Sequence, residues 1–307
     1  MHRKLKILMK RKIIKTIFLL LVVNLSYSQS WMTSLDIAQK LATVQNKMVL
    51  MVWEETTKYP YHVLVNDDKG RTLVIENLFE DENLSPLIWK SFVPVIVSED
   101  QYADLYMEIK NKRKQSYIDK FNDDSIKIMD INGNILNVSN SSQGFQNITN
   151  LIETYALNTQ FLALELTGYK KEKNFYSAYY LASKYIDFTL YADEKLRPEL
   201  INLADIYLGE AVASLEEDIE EDKLTLKQRV ELLKIQEYLV LKRPKKVLRQ
   251  LNRIDAVNID NTNKTFVAFL YYTAYSILKN ESKTKIWKAK VSLVNLKKAQ
   301  MIINLNS

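Results

Sequence analysis

The sequence predicts an α/β N-terminal part followed by an all-α C-terminal part, and three observations carry this. Two apolar runs of strand length, Met48 to Trp53 and Phe92 to Val97, alternate with helical patterns in the first half. Strand signals stop near residue 157, and long helical periodicity fills the rest. Ahead of both stands a segment of targeting composition. The expected organisation is therefore a signal peptide over 1–28, an α/β domain over 29–157 and an α-helical domain over 158–307.

The targeting segment carries Arg3, Lys4, Lys6, Lys10, Arg11, Lys12 and Lys15 with no acidic residue, then the apolar run Ile17 to Val23. That is the basic region and apolar core of a secretory signal. A bilayer-spanning helix needs about 20 apolar residues, and this run is too short. Ser26 and Ser28 supply the small residues of a cleavage site, so cleavage is expected after Ser28. The expectation is an exported protein, periplasmic or secreted, with no transmembrane span in its mature chain. The Lys, Asn and Ile bias is bacterial in character. The glycosylation sequons at Asn137, Asn140, Asn147, Asn263 and Asn280 then read as chance matches.

The chain has no cysteine. Thiol catalysis and disulfides are excluded, and a chain of this length buries a core without them. Its formal charge of +6 is misleading, because the signal segment contributes seven of the basic residues. What remains is an asymmetry: residues 242–307 hold 14 basic and 3 acidic residues, behind a net acidic body.

Along the first half, Trp31 to Asn46 reads as a helix capped by Thr33 or Ser34. Met48 to Trp53 follows as a buried strand. Tyr61 to Val65 and Arg71 to Glu76, joined by Asn66 to Gly70, form a hairpin. Asp81 to Lys90 is a short helix and Phe92 to Val97 a second buried strand. Gln101 to Lys120 reads as helical, with a solvated basic face at Lys110, Lys112, Arg113 and Lys114. Ile126 to Ile131 and Asn134 to Val138 flank the turn pair Asn132 and Gly133. Phe145 to Leu157 closes this part as a helix. Helices then follow over 159–170, 174–190, 194–215, 225–241, 244–253, 262–279 and 283–304.

The order helix, strand, strand, helix, hairpin, helix in residues 31–157 resembles the thioredoxin-like fold. Asn46 to Trp53 resembles the strand before that family's redox motif, Phe92 to Val97 the strand after its first long helix, and Ile126 to Ile135 the hairpin after its cis-proline. The resemblance covers less than half of the mature chain, and each position bearing the family's chemistry departs from it. Glu54-Glu55-Thr56-Thr57-Lys58-Tyr59 stands where a cysteine pair is expected, and Asp124 where the cis-proline is expected. A fold can be kept where its activity is not. The helical part resembles tetratricopeptide-like repeats loosely, through the Tyr and Ala placement of Asn174 to Asp187, without a regular repeat of about 34 residues.

Chemistry-bearing residues are few. His62 is the only histidine after the signal segment, in a strand pattern where a surface or hydrogen-bonded role is favoured over a base. No metal site and no cofactor is expected. Trp53, Glu54, Glu55 and Asp124 are candidate binding residues at the strand ends, and the carboxylates are the only candidates for an acid–base pair. A solvated loop end is favoured over catalysis for Glu54 and Glu55, because neighbours on an extended segment point to opposite faces. Asp130 to Asn134 has the look of the start of a calcium loop but lacks its closing Glu, so a hairpin turn is favoured. Glu216 to Asp222 is a dense acidic run, favoured as a solvated helix end.

Lys242, Arg243, Lys245, Lys246 and Arg249, with Arg253 and the lysines at 283, 285, 288, 290, 297 and 298, form the strongest electrostatic feature. It suits an anionic surface or an acidic partner. Nucleic acid is disfavoured by export and by the lack of a binding motif. The expected function is an exported, non-catalytic binding or scaffold protein whose partner is another envelope or secreted protein. Two alternatives stand beside it: a carboxylate-dependent enzyme at the degenerate strand-end site, and a binder of envelope anionic polymer or lipid through the basic helices.

Overall fold

The computed structural model describes residues 30–138, 145–218, 223–254 and 259–307, with the side chains at 138, 217 and 218 left undescribed. The expected signal segment, the sequon at Asn140 and most of the acidic run lie outside the described residues.

The N-terminal part holds two small sheets. Helix α1 (Leu35–Gln45) is capped by Ser34, whose hydroxyl accepts from the Ile37 amide at 3.5 Å. It starts later than the sequence pattern suggests because Met32 is held in a strand-like bridge to Val95. The Met32 amide donates to Pro94 O at 3.1 Å and its carbonyl accepts from the Ile96 amide at 2.8 Å. Asn46 ends the helix in the left-handed conformation, and the chain turns into β1 (Met48–Trp53). Residues 48–52 of β1 are all buried, which is why the strand is apolar throughout rather than alternating.

The turn Glu54–Lys58 leads to the hairpin β2 (Val63–Asn66) and β3 (Thr72–Ile75), paired Val63 to Ile75 through Asn66 to Thr72. Its turn uses Gly70 at φ 75°. Next come α2 (Leu84–Ser91), β4 (Phe92–Val97), α3 (Glu99–Ile109), α4 (Gln115–Asn122), β5 (Lys127–Met129), β6 (Ile135–Val138), the short β7 (Gln146–Asn147) and α5 (Ile148–Tyr155).

The larger sheet has the order β4-β1-β5-β6. β1 runs parallel to β4, pairing Met48 with Phe92 and Trp53 with Val97, and antiparallel to β5, pairing Met51 with Lys127. β6 is antiparallel to β5. The smaller sheet, β3-β2-β7, is closed by a parallel contact of Val63 with Gln146, a strand the sequence pattern did not show.

After α5 every described element is helical: α6 (Ala163–Lys171), α7 (Phe175–Phe188), α8 (Arg197–Asp218), α9 (Lys223–Val240), α10 (Pro244–Leu251), α11 (Lys264–Ile277), α12 (Glu281–Lys288) and α13 (Leu293–Leu305). Helix α7 is entered through a capping box between Asn174 and Ser177. It packs along α8, and α8 also meets β6, so the sheet and the helices share one continuous core. Among the described residues no helix is long and apolar enough to cross a membrane.

Two long expected helices are each broken. The 283–304 stretch divides because Val291 is buried and Ser292 caps a new helix, accepting from the Asn295 amide at 3.4 Å. The 101–120 stretch divides at Lys110 to Lys114. Its basic face is solvated at Lys110, Lys112 and Lys114, but Arg113 turns inward to an ion pair with Glu210 of α8 and donates to Asn134 Oδ1 at 3.0 Å. Arg113 is thus a junction residue rather than part of a solvated face.

Candidate functional site

The carboxyl ends of parallel strands are where sheets of mixed α/β architecture present chemistry. Here β1 ends on Trp53. Its indole N–H donates to Glu99 Oε2 at 2.9 Å, and its ring stacks on Tyr102 with centroids 5.1 Å apart. Tyr102 stacks in turn on Phe121 at 4.4 Å and its hydroxyl donates to the Phe121 carbonyl. Glu99 and Tyr102 are delivered by α3, which Ser98 caps directly after β4, and Phe121 by α4. Three aromatic rings thus close the end of the sheet. Burial raises the Tyr102 hydroxyl pKa, and the negative charges of Asp124, Asp123 and Glu99 push it the same way.

Beneath this stack lies Lys127, with no exposure to solvent. Its ammonium donates to the carbonyls of Asp123 and, at 3.3 Å, Ser125, and sits 5.6 Å from the Tyr102 ring centre. Among the described residues no carboxylate forms an ion pair with it. Burial lowers its pKa to about 8, against the raising influence of Asp123 and Asp124. The neighbouring Ser125 hydroxyl is buried and has no partner among the described residues. Tyr61, at the foot of the hairpin, faces the Ile126 amide and the Gln146 side chain, and burial pushes its pKa up to about 12. The only signal for Lys127 in the sequence is a lysine between isoleucines, on a strand whose neighbours on either side are apolar. Strand pattern alone places it as one more residue of a hairpin.

Among the residues singled out by sequence, Trp53 is built into this cluster. Glu54 and Glu55 are not: both lie in the 54–58 turn, where Glu55 pairs with Lys58 at 2.6 Å on the surface. Such a pair contributes on the order of 0–1 kcal/mol. Asp124 is exposed at the loop before β5, and no hydrogen bond joins it to Glu54 or Glu55. His62 is exposed beside the Phe145 ring at 5.8 Å.

The basic residues sit elsewhere, at the α9–α10 junction, and among the described residues no hydrogen bond or ion pair joins them to the strand-end cluster. Lys242, in the left-handed conformation at φ 58°, pairs with Glu194 at 2.9 Å, and Lys246 lies 3.9 Å from the Tyr238 ring centre. Arg243, Lys245 and Arg249 are exposed. Lys298 pairs with Asp187 at 2.5 Å, so part of the basic tail is neutralised within the helical part.

The turn after β5 has a role that its sequence does not announce. Asp130 is buried, and its Oδ1 accepts from the amides of Asn132 at 2.9 Å and Asn134 at 3.0 Å. Its Oδ2 accepts from the hydroxyls of Tyr185 on α7, at 3.1 Å, and Tyr207 on α8. Burial raises the Asp130 pKa even against these four donors. Its acceptor capacity is taken up by the turn and the helices, so the calcium-loop likeness has no chemistry behind it. Gly133, at φ 86°, allows the turn.

Trp53→Ala is expected to destabilise the protein by about 3 kcal/mol, because it removes a stacked, half-buried ring. Trp53→Phe keeps the stack, loses the bond to Glu99 and is expected to cost about 1 kcal/mol. Urea unfolding of both variants checks the ranking. Equal losses would mean that the hydrogen bond, not the ring, closes the strand end.

Comparison of the chain with protein-family models, with curated proteins and with solved structures finds no match in any of the three.

Proposed function

We propose that this chain is an exported, non-catalytic binding protein, in which a redox-inactive thioredoxin-like scaffold carries a helical part that meets a partner protein. The observation that carries the reading is the aromatic closure of the strand end. At the strand end just before the position where the resembled family presents its reactive pair, Trp53, Glu99, Tyr102 and Phe121 satisfy one another. The strand order, with β1 parallel to β4 and an antiparallel β5–β6 hairpin beyond it, supports the scaffold assignment. The absence of cysteine removes the family's chemistry from the sequence itself.

The carboxylate enzyme is the weaker alternative, since Glu55 is engaged with Lys58 and no bond brings Glu54 or Glu55 to Asp124. A shared cleft would be needed for one carboxylate to act as acid and the other as base.

The test is a turnover screen of the purified chain from Gln29 to Ser307 with ester, amide, glycoside and phosphoester reporters. No rate above buffer is expected. A rate abolished by Glu54→Gln or by Lys127→Met, in variants whose circular dichroism matches the parent, would overturn the proposal. Its positive counterpart is crosslinking in envelope fractions, with crosslinks expected on the helical part rather than near Trp53.

A further inference from the structure

An open cleft of about 380 Å³ lies where the first helix of the N-terminal part faces the first helix of the helical part. It is lined by Lys40, Thr43 and Val44 of α1 and by Thr167, Lys170 and Lys171 of α6. The helices are held in this relation by Lys170, which donates to Gln39 Oε1 at 3.1 Å, and by the Thr159 amide, which donates to the Asn46 carbonyl at 2.9 Å.

Both walls carry apolar side chains that face water. Val44 is 79% exposed, and Ile37, two turns earlier on the same face of α1, is 53% exposed. On α6, Leu164 is 83% exposed and stands one turn before Thr167. Val44 lines the cleft, and Ile37 and Leu164 continue its two helix faces beyond the lining, so together they are a surface that gains by being covered.

The charged residues that line the cleft are all lysines. Lys40 pairs with Asp36 at 2.6 Å along α1. Lys170 bonds a neutral amide, and Lys171 makes no ion pair among the described residues. Burial lowers the Lys170 pKa, and the like charges of Lys40 and Lys173 add to this against the opposing pull of Asp36 and Asp130. The lining thus holds three lysines and no carboxylate, and Lys170 and Lys171 have no ion-pair partner among the described residues, so an anionic occupant would find both unmatched.

We propose that the α1–α6 cleft is the docking site for an acidic, amphipathic helical segment of a partner protein. The apolar stripe of such a helix would cover Ile37, Val44 and Leu164, and its carboxylates would meet Lys40, Lys170 and Lys171. This is the helix-in-groove mode of recognition. An open trough covers one side of a helix well, whereas a small molecule is held by enclosure, normally with most of its surface buried. The inference rests on the binding reading above and names the partner chemistry for it.

The probe is a fluorescein-labelled synthetic peptide of about 14 residues, long enough for roughly four helical turns, with Leu on one face and Glu flanking it. Two control peptides accompany it, one with Gln for Glu and one with the same composition scrambled. Anisotropy titrations use the chain from Gln29 to Ser307. The acidic amphipathic peptide is expected to bind at least about tenfold more tightly than either control, and to weaken on going from low to moderate salt, as exposed charge pairs are screened. Lys170→Glu with Lys171→Glu, and separately Val44→Asp, are each expected to weaken it by about tenfold or more. Lys245→Glu with Arg249→Glu is expected to leave it unchanged. Circular dichroism of each variant establishes that it is folded, and two independent lesions on opposite walls guard against one failing to fold.

Three results overturn the docking site: equal binding of all peptides, loss of binding in the Lys245/Arg249 variant as great as in the cleft variants, or no binding by any peptide. Association with phosphatidylglycerol vesicles, lost on Lys171→Glu while the peptide fails, would assign the cleft to a lipid surface and overturn the protein partner. Concentration-dependent dimerisation lost on Val44→Asp would assign it to a second copy of the chain with the same consequence. None of these disturbs the non-catalytic reading. Only turnover in the reporter screen does that, so the two failures are told apart.

Discussion

Asp130→Ala is expected to lower the stability of the whole chain by about 3–5 kcal/mol, the cost of removing one partner from a buried charged network. The loss is large because four donors converge on this buried carboxylate. The amides of Asn132 and Asn134 form the turn between β5 and β6, while the hydroxyls of Tyr185 and Tyr207 come from α7 and α8. Both tyrosines are fully buried, and their rings stack at 5.7 Å, so neither can turn to solvent for a new partner. Around them, Asn132 donates to the Tyr207 oxygen at 3.3 Å, and Glu210 accepts from both Arg113 and Tyr169.

The network is the polar joint between the sheet part and the helical part. Asp130→Ala is therefore expected to do more than shift a midpoint. Urea unfolding followed by far-ultraviolet and by tyrosine near-ultraviolet circular dichroism should give coincident curves for the parent and separated curves for the variant. Asp130→Asn keeps one acceptor oxygen for the turn and is expected to fall between the two. A loss below about 1 kcal/mol for the alanine variant would mean that apolar packing, not this joint, couples the two parts.

The second large effect is expected at Glu237→Gln, and it runs toward greater stability as pH rises. Glu237 is 6% exposed within α9, and its Oε1 has no hydrogen-bond partner among the described residues. Burial raises its pKa, Asp205 on α8 adds to the rise and Lys234 opposes both, which leaves it at about 9. The native state therefore holds a proton that the unfolded chain releases near pH 4.5. The stability this contributes is present in full below the unfolded value and is lost as pH climbs through the folded one.

A tenfold difference in proton affinity between the folded and unfolded chain is worth about 1.4 kcal/mol, so the ceiling on that loss is about 6 kcal/mol. Relaxation around the carboxylate will bring the measured value lower. Glutamine keeps the shape and cannot ionise. Urea unfolding at pH 5, 7 and 9 should find parent and variant nearly equal at pH 5 and the variant ahead by at least about 2 kcal/mol at pH 9.

Lys127 works in the opposite sense. Its folded pKa, about 8, lies below its unfolded value of 10.5, so it contributes stability above the unfolded value that is lost as pH falls through 8. The Glu237 comparison is therefore made at matched pH between parent and variant, where the Lys127 contribution cancels. Parallel pH profiles for parent and variant would rule out a buried, protonated Glu237.

Much of this architecture was legible in the chain. Met48–Trp53 and Phe92–Val97 stand as strands over the residues that their apolar runs mark, because a strand covered on both faces has no polar positions to disguise it. Asn66 to Gly70 and Asn132-Gly133 turn where their residue types permit positive φ. The candidate site was legible only in part. Trp53 was singled out at the right strand end, but its partners Glu99, Tyr102 and Phe121 come from two later helices, and no local pattern ties them to it. Glu54 and Glu55 drew attention by adjacency, yet the tight bend after β1 aims Glu55 at Lys58 and the solvent.

Composition and local conformation can be read from residue order alone: no thiol chemistry, an α/β first part, a helical second part, and the places where the chain must turn. Those properties depend on residue type and on spacings of two to four residues. Which groups lose water is set by the packing of distant elements. Lys127, Asp130 and Glu237 are polar residues within strand, turn and helix patterns that exposed residues would fit equally well. Each became a perturbed, buried group because elements distant in sequence closed over it, and burial is set by those long-range contacts rather than by the residue's own neighbours.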